Sequence, residues 1–262
     1  MQFVGLATPL SKVGFLEAAA AVNADPIALW AVVTVETSGK GFLPDRRPQI
    51  LFERHIFSKR TGGRFDKSHP HISHRSPGGY GARGGHQYAR LANAIDVDRK
   101  AALESASWGL GQIMGFNASP AGFPNVEEMV SAMMRSEDAQ IMAMVRFLKN
   151  TNMHRVLERV DWVAFARAYN GPAFAKNQYD TKLADAHQRF STSGLPNLEA
   201  RAAQLLLLYL GFDPGTVDGV VGRRTKSAIA AFAAKHQIPV PQAADRELLQ
   251  ILTDKLPPAA ES

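Results

Sequence analysis

The sequence predicts an all-α, mainly helical protein in two parts. Apolar residues recur at helical spacing in segment after segment of the 262-residue chain. Caps, Pro and Gly stand where those segments should begin and end. A short polar stretch, Ser191-Thr192-Ser193-Gly194-Leu195-Pro196, separates two regions of different charge. Residues 1–195 hold 23 Lys+Arg against 17 Asp+Glu, whereas residues 196–262 hold 7 of each. The expected units are residues 1–192 and 197–257, with the polar stretch as linker.

A first helix is expected within residues 10–23, with Leu10, Val13, Leu16 and Ala18 to Val22 on it and Thr8 or Ser11 as its cap. A second begins near Pro26, a residue favoured at the first helical position. It carries Ile27, Trp30, Ala31, Val33 and Val35, and Thr37-Ser38-Gly39-Lys40-Gly41 stops it. Glu36 falls in its last turn. The helix dipole is negative at that end and disfavours a carboxylate, and apolar neighbours disfavour ionisation further. Both effects raise a pKa, as a general acid working near neutrality requires. A solvated Glu on a polar helix face is the plain alternative.

A loop over residues 37–48 leads to Ile50-Leu51-Phe52, a short apolar run that fits a buried strand or the start of a helix. Residues 61–86 are rich in Gly, Pro, Ser, Arg and His and read as a long loop, a kind that is usually functional or mobile. His69, His71 and His74 lie there without the Cys or carboxylate that would complete a metal-site spacing, so no metal is expected. Helical patterns resume over residues 86–106, 126–157 and 162–169. Asn170-Gly171-Pro172 then breaks the chain, and a last helix of this part spans about residues 175–190. Beyond the linker, helices are expected over residues 202–210, 225–236 and 245–256. Asp218-Gly219 and Gly222 suit tight turns, Thr225 suits a cap, and the tail, residues 257–262, is expected to be disordered.

Hydrophobic content of 45% and charged content of 21% describe an ordinary globular chain. No apolar run is long enough to span a bilayer, so stable membrane insertion is not expected. The N-terminus lacks a basic region followed by a long apolar core, so no signal peptide is expected. Cysteine is absent, which excludes disulfides and thiol chemistry. The net charge of +6 is concentrated between Lys40 and Lys100, with 13 basic against 5 acidic residues. Such a segment suits an anionic partner, namely nucleic acid, membrane headgroups or an acidic wall polymer, or is simply a soluble basic surface. Its few aromatics come with no nucleic-acid motif, which argues against nucleic acid.

Two carboxylates stand out. Glu36 and Glu53 each follow an apolar run, seventeen positions apart. Glycoside hydrolysis commonly uses one carboxyl group as acid and another as base or nucleophile. A structural ion pair between Glu53 and Arg54 is the alternative for the second. Four motifs occur in order: Glu36-Thr37-Ser38-Gly39-Lys40-Gly41-Phe42, Ile50-Leu51-Phe52-Glu53-Arg54-His55, Ser107-Trp108-Gly109-Leu110-Gly111-Gln112-Ile113-Met114-Gly115, and Tyr169-Asn170-Gly171. Together they resemble the N-acetylmuramidase domain of phage endolysins, relatives of goose-type lysozymes and lytic transglycosylases, over about residues 8–190. The resemblance implies a lysozyme-like catalytic domain in which Glu36 is the acid and Glu53 the second acidic residue. It implies that the Trp108 motif walls the sugar cleft, that Gln112 reaches an acetamido group, and that Tyr169 and Asn170 close the cleft opposite the acid. Trp108 suits stacking on a pyranose face or, equally, a place in the core. Gly109 and Gly111 would allow backbone to approach a ligand.

The segment from Leu207 to Thr225, with Leu210-Gly211 and Val217-Asp218-Gly219, resembles the small three-helix peptidoglycan-binding domain attached to many wall hydrolases. Here Ala233 follows Phe232 where members often carry Gln. The combined expectation is a monomeric endolysin that cuts the β-1,4 bond between N-acetylmuramic acid and N-acetylglucosamine without cofactor or metal. Its partner is bacterial peptidoglycan. Made in the host cytoplasm, it would reach the wall after release through a holin pore. A chain ending near Ser193 should keep its cleft. The rival expectations are a lytic transglycosylase, which needs only one acid, and a wall-binding protein without catalysis.

Overall fold

The computed structural model describes residues 3–172 and 174–258. Helix α1 (Lys12–Ala21) starts at Ser11, whose hydroxyl accepts the Gly14 N–H. Helix α2 (Pro26–Thr37) starts at Asp25, whose carboxylate accepts the Ile27 N–H. Residues from Ala28 to Val33 are all buried, so α2 is apolar on every side and runs through the core. It ends at Ser38, which takes the left-handed conformation at φ 54° and donates its N–H to Thr34 O, and Gly39 continues at φ 77°.

Beside the helices stands a small sheet, in which the apolar run Ile50-Leu51-Phe52 takes its strand alternative and two strands not expected from the sequence join it. Strands β1 (Ile50–Phe52), β2 (Ala106–Trp108) and β3 (Ile113–Met114) pair antiparallel in that order. Ile50 faces Trp108, Phe52 faces Ala106, and Ser107 faces Met114. Gly109 N–H to Gln49 O (2.8 Å) and Glu53 N–H to Ser105 O (2.9 Å) extend the first ladder at both ends. Strands of two or three residues show no alternation that a sequence could display, and β1 pairs with a strand more than fifty residues away.

Helix α3 (Arg54–Arg60) follows β1, and the irregular stretch 61–85 leads to α4 (His86–Glu104), which bends at Asp98. Helices α5 (Val126–Arg135) and α6 (Glu137–Asn150) meet at Ser136, which ends one and caps the other by accepting the Ala139 N–H. Helices α7 (His154–Glu158) and α8 (Trp162–Asn170) precede a short 3-10 turn, Phe174–Asn177. Helix α9 (Tyr179–Ser193) packs along α2, with the Trp30 and Phe190 rings edge to face at 6.4 Å. Because α9 runs through Ser193, the expected linker is in part a last helical turn. Only Gly194 to Asn197 join it to the next helix.

Helices α10 (Leu198–Tyr209), α11 (Arg223–His236) and α12 (Arg246–Asp254) enclose a second, smaller core that includes Leu206, Leu207, Phe232, Leu248 and Leu252. Asp218 accepts the Val220 N–H and shapes the turn, as expected. Thr225 does not cap α11, where Gly222 holds the N-cap position. It is buried instead, donating to Pro214 O and accepting from the Gln204 amide. Helix α10 also touches the larger unit: Leu198 packs on its core, and the Tyr209 hydroxyl donates to Ala7 O at 3.2 Å. In the tail, the Pro257 and Pro258 carbonyls accept from Arg46, while residues 259–262 lie outside the described residues. Among the described residues no single helix is long and apolar enough to cross a membrane.

Candidate active site

The last turn of α2 brings Glu36 against Asn170 at the end of α8 and near Tyr179 at the start of α9, whose hydroxyl also feels Glu53 at the end of β1. Burial pushes its carboxyl from 4.5 up to about 7, and a hydrogen bond from Asn170 works against that rise. Asn170 Nδ2 donates to Glu36 Oε1 at 3.1 Å, and Asn170 Oδ1 is enclosed without a hydrogen-bond partner among the described residues. The Tyr169 hydroxyl turns inward and donates to Gly111 O at 2.5 Å, while its ring stacks on Phe165 at 5.2 Å. Tyr169 therefore fixes the end of α8 against the β2–β3 turn, and Asn170 is the member of the pair that meets Glu36.

Glu53 stands at the N-cap position of α3, yet its side chain makes no cap. The carboxylate faces outward to Tyr80, whose hydroxyl donates to Oε2 over a long 3.5 Å, and to His55, whose Nδ1 lies 3.1 Å away without hydrogen-bond alignment. Burial raises the Glu53 carboxyl, and His55 and the Tyr80 hydrogen bond draw it back. The alternative of a Glu53–Arg54 ion pair does not hold, because Arg54 Nε donates to Gly78 O.

Two tyrosines that the sequence did not assign to a site stand beside these carboxylates. Tyr80 is 37% exposed and comes from the Gly-rich stretch 78–81. Tyr179, at the first turn of α9, is raised by burial and then by the charges of Glu36 and Glu53, so it lies in the field of both carboxylates. The loop is seated by Gln87, which is fully buried. Its amide nitrogen donates to Tyr80 O and Ala82 O, each at 2.7 Å, and its amide oxygen accepts the Phe52 N–H on the open edge of β1. A single aromatic among glycines in a long loop was the available signal for Tyr80.

Other candidates are placed elsewhere. Trp108 is 0% exposed, packs on Phe3 at 5.6 Å and donates its indole N–H to Leu103 O. Inward-facing on β2, it cannot stack on a sugar and is a core aromatic. Gln112, at φ 47°, spends its amide on Gln49 O, Gly109 O and the Ser107 hydroxyl, so it braces the turn. Gly109 and Gly111 admit the side chains of Gln140 and Met144 rather than a ligand. Glu104 pairs with Arg60. His69 pairs with the Ser68 hydroxyl, and His74 accepts the Ser76 N–H. No group of three or more His, Asp or Glu side chains among the described residues is disposed to hold a metal ion.

The N-acetylmuramidase family model matches residues 25–191, which include every residue of this cleft. A second model, described as a putative peptidoglycan binding domain, matches residues 197–252. Among solved structures, the chain is similar to a Burkholderia AP3 phage endolysin. The identity is 40% and the TM-score 0.64, over 71% of this chain and 72% of that one. No curated protein matches the chain.

Proposed function

This chain belongs to the N-acetylmuramidase family, and on that premise we propose that it is an endolysin cutting the β-1,4 bond between N-acetylmuramic acid and N-acetylglucosamine, with Glu36 as general acid. The observation that carries the assignment is the state of Glu36. A carboxyl raised to about 7 keeps a transferable proton near neutrality, and a hydrogen bond from Asn170 aims it. Glu36 protonates the glycosidic oxygen as the bond to C1 breaks. Glu53 then assists the incoming water or balances the positive charge that develops on the ring. Tyr80 and Tyr179 supply the aromatic surfaces that the sequence reading sought in Trp108. Residues 1–192 form the catalytic unit and residues 197–257 the wall-binding unit, and the protein acts as a monomer. It reaches the wall from the host cytoplasm through a holin pore.

The test is mass spectrometry of digested peptidoglycan. Reducing-end N-acetylmuramic acid is the expected product. Ends consisting only of 1,6-anhydro sugar would place the protein with the lytic transglycosylases, and no cleavage would leave a binding protein.

A further inference from the structure

Arg201 sits on α10, inside the wall-binding unit, yet its guanidinium is spent on the muramidase unit. It is fully buried, as is its partner Glu137. Nη1 and Nη2 donate to Glu137 Oε2 and Oε1 at 2.7 Å each, and Nε and Nη2 donate to Gly39 O at 2.8 and 2.5 Å. The guanidinium carbon lies 5.7 Å from the Trp30 ring of α2. Glu137 in turn accepts the Gly41 N–H at 2.7 Å and the Leu10 N–H at 2.8 Å. Gly39 and Gly41 are the stop of α2, three and five residues beyond Glu36.

The last carbonyls of a helix have no partners within it. Here a side chain from another unit binds the stop itself. A buried Arg–Glu pair is a poor source of stability, because desolvation offsets most of the attraction. What the planar fork supplies is fixed geometry, shared between a carboxylate and a main-chain oxygen. The stop is also held from within the muramidase unit: the Thr37 hydroxyl donates to Val33 O and Leu110 O at 3.2 Å, the Gln49 N–H to Gly41 O at 2.7 Å, and the Gln49 and Gln140 side-chain amides to Lys40 O and Gly41 O at 3.1 and 3.5 Å, but among these described partners Arg201 is the one that binds Gly39 O. We propose that Arg201 is a positioning residue for catalysis: the wall-binding unit completes the active site by clamping the end of the helix that carries Glu36. This rests on the reading of Glu36 as the acid. It reverses the expectation that a chain ending near Ser193 keeps a working cleft, since that chain would lack the clamp.

The experiment uses the full chain on soluble peptidoglycan fragments, with kcat and KM measured separately and folding checked by the thermal transition. The variants are Arg201→Lys, the double variant Glu137→Gln/Arg201→Met, and Glu36→Gln. Lysine keeps a charge for Glu137 but cannot span both acceptors. Displacing a catalytic group slightly lowers the rate by ~10-fold or more, so kcat should fall by about that much in folded Arg201→Lys with KM within about twofold of the parent. The double variant, which removes both charges together, should show the same split. If the double variant does not fold, the lysine variant decides. Parental kcat in Arg201→Lys overturns the proposal, and so does a change confined to KM, the mark of weakened wall contact. An active Glu36→Gln protein removes the acid assignment itself. An inactive Glu36→Gln protein beside a fully active Arg201→Lys protein removes only the role of Arg201.

Discussion

In the proposed role of acid, Glu36 must hold its proton at the pH of the reaction. With its carboxyl at about 7, kcat/KM should decline as pH rises through that value. Asn170 donates to the ionised form, so Asn170→Leu should move the decline to higher pH while lowering the plateau. A limb that stays in place would detach Glu36 from it. Glu36→Gln should lose ~10² to 10⁴ in rate. Glu53→Gln should lose less if Glu53 only orients water, and as much if it is the base or nucleophile, with the double variant then little worse than either. Stability gives an independent reading of the same carboxyl. Its folded pKa lies above the unfolded value of 4.5, so between about 4.5 and 7 the folded state binds the extra proton, and stability falls as pH rises through that window. The cost above it is up to ~3 kcal/mol. Glu36→Gln should therefore be more stable than the parent at pH 8 and no more stable at pH 4, measured by chemical denaturation. The raised carboxyl of Glu36 was legible in the sequence because its cause is local: an apolar helix, a terminal turn and a glycine stop adjoin in the chain.

At the scale of elements, the helices were legible because each carries its own period and boundary signals, as α2 does between Asp25 and Ser38. The sheet was not, since β2 and β3 are defined by what they pair with, and so the sequence left Trp108 equally a cleft wall or a core aromatic, where its strand turns it inward. Trp108→Phe should lower stability by ~2 kcal/mol through a partly filled cavity and leave KM on soluble fragments unchanged. A large rise in KM at unchanged stability would restore the sugar contact. The same limit hid Tyr80, whose place beside Glu53 is set by Gln87 across a loop. Gln87→Leu leaves the Phe52 N–H and the Ala82 carbonyl without these partners and the Tyr80 carbonyl with Arg90 alone. It should cost ~2 kcal/mol or more and hasten proteolytic cleavage within residues 76–85. Tyr80→Phe, by contrast, should leave the loop protected and change only the rate.

For the whole molecule, the charge difference and the polar stretch suggest a change of unit near residue 194; one family model ends at residue 191 and the other begins at residue 197. What a one-dimensional reading could not show is that α10 serves two cores. Arg201 looks like any helix-surface cation in the sequence; its burial follows from where α10 docks, and its partner Glu137 lies 64 positions away. Glu137 in turn holds Leu10, Gly41 and Arg201, so the N-terminal segment, the stop of α2 and the wall-binding unit converge on one carboxylate. Two units joined by a flexible tether unfold independently, whereas units sharing a buried charge pair unfold together. Calorimetry of the full chain should therefore give one transition with matching calorimetric and van't Hoff enthalpies. Arg201→Met leaves the Glu137 charge buried without its counter-ion and should cost ~3–5 kcal/mol. That cost should fall on the muramidase unit as much as on the three-helix unit, although the substituted residue belongs to the latter. Two separate transitions in the parent, with only the smaller one moved by Arg201→Met, would show the units to be merely tethered.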